Sequence, residues 1–199
     1  MAAGAARADG DPASDVLYTQ WVFTPFGAGI PKEVSRRLDD VVQRARADGY
    51  PIKVAIIGSP PDLGTAYVLW RKPQPYARFL GQELVFLYKQ RLLVVMPNGY
   101  GIYWYQHDTT AERRTLAALP PASSASTVDL VDRGVTAVAR LASSAGHPVP
   151  VPPRVGVSEP SGGGSRLMDR VIIGVAAAAF IVLVILVPTL LRRRIRTTP

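Results

Sequence analysis

IKVAIIG, residues 52–58, is apolar at every position but Lys53 and stops at a glycine followed by Ser59 and two prolines. Seven residues is strand length. Apolar character without alternation places such a strand inside a sheet that is covered on both faces. On its C-terminal side, Leu63 to Trp70 reads as a short helix, RKPQP (71–75) interrupts, and Tyr76 to Tyr88 reads as a second helix. Phe79, Leu80, Leu84 and Leu87 fall on adjoining turns of that second helix. RLLVVM (91–96) is the next strand, expected parallel to the first through a right-handed crossover. Pro97-Asn98-Gly99 is a turn signal, and Ile102 to Gln106 is expected to return antiparallel. Thr110 to Leu119 and Val128 to Ala142 read as helices that close the domain. Val128, Val131, Val135, Val138 and Leu141 share one face of the latter.

On the N-terminal side, Pro31 opens a helix with Glu33 in its positive first turn and Gly49 as its stop. Val34, Leu38, Val41, Val42 and Ala45 make its apolar face, with Arg36, Arg37, Asp40 and Arg44 toward solvent. Before it, VLYTQWVF (16–23) is rich in β-branched and aromatic residues and reads as an edge strand ahead of the turn residues 24–29. The fold class expected is α/β, a small mixed sheet flanked by helices, with one C-terminal transmembrane helix added.

That last helix is read from residues 171–191, VIIGVAAAAFIVLVILVPTLL, which carry no charge and only Thr189 as a polar side chain. About 20 residues of helix cross a hydrocarbon core of ~30 Å and satisfy their own backbone groups. Arg192, Arg193, Arg194 and Arg196 follow the span, whereas Arg166 and Arg170 precede it. The positive-inside rule therefore favours a cytoplasmic C-terminus and a domain outside the membrane. The organisation expected is residues 1–15 as a disordered N-terminus or signal-peptide remnant and 16–145 as the extracytoplasmic α/β domain. A proline- and glycine-rich stalk (146–166), a membrane helix (167–191) and a basic cytoplasmic tail (192–199) follow. Ala6-Arg7-Ala8 before Asp9 looks like the cleavage end of a signal peptide, and the alternative is an alanine-rich disordered start.

Composition narrows the chemistry. With no cysteine there is no disulfide framework, thiolate zinc site or cysteine nucleophile. Residues 166–199 hold six arginines and one aspartate, +5 of the net +8, leaving +3 for residues 1–165. The basicity is mostly membrane flank, which points to a lipid bilayer and a membrane or envelope protein as partners, and not to nucleic acid. The two histidines, His107 and His147, are not spaced for a helical zinc site, and no phosphate-loop or nucleophile-elbow motif is present. His147 opens the stalk and reads as exposed. Asn98-Gly99-Tyr100-Gly101 is better explained by a hairpin than by a phosphate cradle. Tyr100, Tyr103, Trp104 and Tyr105 are either a binding face or core and strand packing.

One constellation follows from topology. Asp62 succeeds the first strand and Asn98 the second, so parallel strands bring both to one carboxyl edge, where ligands of open α/β sheets bind. Oxygen ligands there suit a divalent cation, calcium or magnesium, though ordinary turn roles explain both residues as well.

The series of a helix, IKVAIIGSP, a helix with YARFLGQEL, then KQRLLVVMPNGYGIYW resembles the TPM-domain family of membrane-anchored, mostly exported proteins. The resemblance covers about residues 30–145. It implies an anchored bacterial α/β domain linked to cation binding, phosphatase activity, or assembly and repair of membrane complexes. The segment before the second strand is Lys89-Gln90-Arg91-Leu92, and the acidic first loop is reduced to Asp62. The functions expected are, first, a single-pass membrane-anchored accessory or interaction domain without catalysis. The second is a divalent-cation-dependent phosphohydrolase, and the third a cytosol-facing tail-anchored protein.

Overall fold

The structure is a computed structural model and describes residues 10–120 and 126–153. All of them lie in the first of the chain's two units, Met1–Val155. The span read at 171–191, its arginines 192–194 and 196, the stalk beyond residue 153 and residues 1–9 lie outside the described residues. Among the described residues no helix is long and apolar enough to cross a membrane.

A four-stranded mixed sheet forms the middle layer, in the order β1 (Val22–Phe23), β2 (Ile52–Ile56), β3 (Arg91–Met96), β4 (Gly99–Tyr103). β1 and β2 are parallel, as are β2 and β3, with Val54 opposite both Val22 and Leu93. β4 returns antiparallel with Ile102 opposite Leu93. Every residue of β2 is buried, as its continuous apolar pattern requires. One face of the sheet packs on α2 (Lys32–Ala47), α4 (Thr110–Ala117) and α5 (Thr127–Ser144), through Leu38, Val42, Leu116, Val131 and Val138. The other face packs on α1 (Pro12–Thr19), a 3₁₀ segment (Pro60–Leu69) and α3 (Pro73–Glu83), through Leu17, Leu63, Tyr76 and Leu80.

Strand order advances in one direction while α2 and α3 lie on opposite faces. The β1–β2 and β2–β3 crossovers therefore have opposite hands, and the right-handed rule holds for only one of them.

The strand expected over 16–23 is only half right. Residues 12–19 are the helix α1, and pairing is confined to Val22 and Phe23. Asp11 supplies the reason: its Oδ1 accepts the Ala13 N–H at 3.1 Å as an N-cap, and Pro12 takes the first helical position. Among the described residues, regular structure thus begins at residue 12, inside the segment expected to be disordered. The returning strand also lies earlier than expected, at 99–103, because the two-residue turn Pro97-Asn98 starts it at once. Tyr103 ends the pairing, and Trp104 to Gln106 leave the sheet.

Two prolines at the start of α3 let it begin at Pro73, earlier than the expected Tyr76. Its first turn lies on β4 so closely that a Cβ at Gly101 would come within 2.0 Å of the Pro73 carbonyl oxygen. Gln74 covers the sheet edge. Its Nε2 donates to the Ile102 carbonyl (2.9 Å) and its Oε1 accepts the Ile102 N–H (3.1 Å), standing in for a fifth strand.

The stalk does not begin as a free linker. His147 Nδ1 lies 2.6 Å from the Asp48 carbonyl oxygen, and Val149 is buried in the core. Arg44 and Arg37 donate to the carbonyls of Pro150 (3.4 Å) and Pro152 (2.9 Å). Prolines supply only acceptors, so guanidinium donors are what hold such a segment against a helix. Arg37, expected on the solvent side, is mostly covered and also pairs with Asp132 on α5. Residues 146–153 thus belong to the domain.

Candidate functional site: a cationic cleft at the carboxyl edge of the sheet

The turn after β3, α4 and the start of α5 converge at the carboxyl edge of the parallel strands. They enclose a cleft of about 650 Å³, lined by Gln74, the hairpin residues 97–100, Arg113, Leu116, Ala117, Leu119, Pro120 and Arg133. This is the edge singled out from topology, but its polar groups are mostly residues that the sequence did not point to.

Arg133 is the central one. α5 is buried along a wide face that includes Leu130, Gly134 and Ala137 as well as the valines, and Arg133 sits on its border, half-buried. Its Nε donates to the Tyr100 hydroxyl (3.2 Å), and its Nη1 lies 3.5 Å from the carbonyl oxygens of Met96 and Pro97. The guanidinium lies over the Tyr100 ring at 4.8 Å. All of these partners are neutral. Among the described residues no carboxylate comes within 4 Å of this guanidinium. Asp129, one turn back on α5, accepts instead from the Ser126 hydroxyl at 2.7 Å. Arg113 is exposed on the opposite rim. Its Nη2 donates to Thr110 Oγ1 (3.0 Å) and lies 4.0 Å from Asp108, a contact so open to water that it is weak.

Asp62 and Asn98 reach the expected edge but serve the chain itself. Asp62 is buried, and its Oδ2 accepts from Gly58 N (2.9 Å), Ser59 N (2.7 Å) and Ser59 Oγ (3.0 Å), fixing the turn out of β2. Asn98 donates its Nδ2 to the Arg71 carbonyl (2.6 Å), steadying a residue held at φ 58°. A calcium or magnesium ion needs several free oxygen ligands. Asp62 Oδ2 already accepts three hydrogen bonds and Asn98 Nδ2 is tied to Arg71, which leaves one oxygen on each side chain, too few on their own for such an ion. Among the described residues no group of three or more His, Asp or Glu is placed to hold a metal. Asp62→Ala strands two backbone N–H groups and is expected to cost about 2 kcal/mol of stability in denaturant unfolding. Calcium or magnesium is expected to leave the melting temperature of the native chain unchanged.

The aromatic run does not form one face. Tyr100 lines the cleft, whereas the Tyr103 ring is where a Cβ on Gly81 of α3 would fall, 2.0 Å away. Trp104 belongs to a column at the opposite, amino edge. There the Arg91 guanidinium lies between Tyr50 (4.2 Å) and Trp104 (3.6 Å), and His107 stacks on Trp104 at 3.8 Å. Burial pushes the Tyr50 phenol up to about 12 despite the nearby arginine, and its hydroxyl has no partner.

Two further polar groups were not legible. Lys53, inside β2, is buried, and its Nζ donates to the Leu17 carbonyl and, at 2.7 Å, to the Gln20 carbonyl. Its ammonium caps the negative end of α1, and desolvation lowers its pKa. Asp11 accepts from the buried Tyr76 hydroxyl at 2.8 and 2.9 Å. Burial raises its carboxyl to about 6, against the Tyr76 and Ala13 hydrogen bonds that favour the charged form. The signals that could have pointed to them are that Lys53 is the lone charge in an apolar strand and that Asp11 precedes a proline. No family model, curated protein or solved structure matches this chain.

Proposed function

We propose that this chain is a single-pass, membrane-anchored accessory domain that works by binding, held outside the cytoplasmic membrane of a bacterium by the span at 171–191. The observation that supports binding is the cleft at the carboxyl edge, where a half-buried guanidinium has no charged partner among the described residues and lies beside the apolar surfaces of Pro97, Leu116 and Leu119. A few placed polar groups on a mostly apolar wall are the usual make-up of a ligand pocket. The groups around this cleft are donors and neutral side chains. A hydrolytic reading needs a carboxylate free to activate water, and Asp62, the carboxylate that the TPM resemblance would nominate, already spends Oδ2 on its own turn. The anchored reading rests on the uncharged 21-residue run and on the arginines after it.

Protease treatment of intact cells carrying a C-terminal tag tests the topology. The expected result is loss of the domain with a small tagged fragment left in the membrane. Protection of the domain until lysis would reverse the topology and favour the tail-anchored, cytosol-facing alternative.

A further inference from the structure

We infer that the cleft between the hairpin and helices α4 and α5 binds an organic monoanion, a carboxylate seated on Arg133 with its apolar body against Pro97, Leu116 and Leu119. This rests on the binding reading above and gives it a ligand class.

The charge balance comes first. A guanidinium has five N–H donors. Arg133 directs Nε at the Tyr100 hydroxyl and Nη1, at the long distance of 3.5 Å, at two carbonyl oxygens. Both Nη2 protons are without an acceptor among the described residues. A half-buried cation is costly unless it is paired, and the neutral oxygens around it orient the charge without cancelling it. Residues 121–125, Pro-Ala-Ser-Ser-Ala, contain no acid that could do so either. Among the described residues the Arg133 charge is therefore uncompensated, and an anion that pairs with guanidinium gains a charge-assisted bond.

The walls narrow the class. Pro97, Leu116, Ala117, Leu119 and Pro120 give the cleft an apolar side that a fully hydrated inorganic ion does not use. Tyr100, its ring under the guanidinium and its hydroxyl on Nε, fixes the plane of the fork. Nη2, the nitrogen left open, is offered to one carboxylate oxygen. Arg113, on the rim and only loosely tied to exposed Asp108, adds a second attraction at longer range. One inner charge and an apolar wall match a carboxylate on an aliphatic body, whether a free acid or the last residue of a peptide.

Calorimetry on the full chain in detergent micelles tests this with three probes: N-acetyl-leucine, its uncharged C-terminal amide, and inorganic phosphate. For an acid of this size the Kd is expected to be on the order of 1 mM. The amide and phosphate are expected to bind at least about tenfold more weakly, the loss of one charge-assisted pair. Arg133→Gln is expected to abolish the heat, and Arg113→Gln to weaken binding a few-fold and reduce its salt dependence. Should Arg133→Gln not fold, the acid-against-amide comparison on the native chain and the exposed Arg113→Gln variant still decide. Equal binding of acid and amide, or phosphate binding as well as the acid, would overturn the carboxylate assignment while leaving a binding cleft. No heat with any probe, or heat indifferent to Arg133→Gln, would remove the cleft itself. The micelle experiment reads the same on either side of a membrane, so it fails independently of the protease experiment. If the acid binds, a leucine-ended peptide binding at least as tightly indicates a protein C-terminus as the source, and a weaker one a free acid.

Discussion

Gly101→Ala is expected to remove at least about 3 kcal/mol of stability, enough to leave a domain of ordinary stability largely unfolded. The added Cβ would lie 2.0 Å from the Pro73 carbonyl oxygen, 2.4 Å from its carbon and 2.8 Å from Gln74 N. All three are backbone atoms at the start of α3, so no rotamer change relieves the clash. The first turn of α3 must lift off β4. Lifting it also breaks the paired Gln74–Ile102 hydrogen bonds that close the sheet edge. Gly134→Ala on α5 is the informative contrast. Its Cβ meets only the ends of Ile56 and Leu38, at 3.0 and 3.4 Å, and those side chains shift at small cost. Denaturant unfolding of the two variants checks the order, and a mild Gly101→Ala would mean that α3 does not sit on β4 as described.

Asp11→Asn is expected to stabilise the domain at pH 7 by up to about 3 kcal/mol and to leave it nearly unchanged at pH 3. The unfolded carboxyl titrates near 3.8, whereas burial raises the folded one to about 6. Between those values the native state binds more protons than the unfolded state. Stability therefore falls as pH rises from about 3.8 to about 6, and it stays at the lower level above that. Asparagine keeps the oxygen that caps Ala13 and accepts from Tyr76 but never ionises, so its stability curve is flat across this window. Tyr76→Phe deletes a bond that favours the charged carboxylate. It is expected to move the wild-type transition to higher pH. Chemical denaturation at several pH values reads all three chains, and a native chain that gains stability from pH 4 to 6 more steeply than Asp11→Asn would contradict the buried, protonatable cap.

The layers of the fold were legible where burial imposes a pattern. IKVAIIG is apolar but for Lys53 because both faces of β2 are covered. The i, i+4, i+7 spacing of Leu38, Val42 and Ala45 marks α2 because one face meets the sheet. The parallel pairing of β2 with β3 and the antiparallel return of β4 followed from connection lengths. What failed did so for local reasons. At 16–19 the β-branched and aromatic residues favour a strand, but the Asp11 cap and Pro12 nucleate a helix that Tyr76 then holds from across the core. No sequence window contains that long-range bond. Residues 147–153 look like linker because prolines cannot donate, yet arginines of α2 donate to them.

The site was half legible for the same reason. Topology brought Asp62 and Asn98 to the same edge, but it could not tell that Gly58 and Ser59 would engage Asp62 Oδ2 and Arg71 would engage Asn98 Nδ2. In the sequence Arg133 is one more charge on a helix, with nothing to single it out. Its meaning comes only from what surrounds it in space, a tyrosine, two carbonyls and, among the described residues, no acid.

If the cleft is the binding site of this domain, chemical-shift mapping of backbone amides locates it most directly. The full chain in micelles is titrated with N-acetyl-leucine. The account predicts saturable shifts at Asn98, Gly99 and Tyr100, at Arg113 to Leu119 and around Arg133, with Gly58 to Gly64 unmoved. Shifts centred on the Asp62 turn or on the Arg91–Trp104 column, or none that saturate, would contradict it.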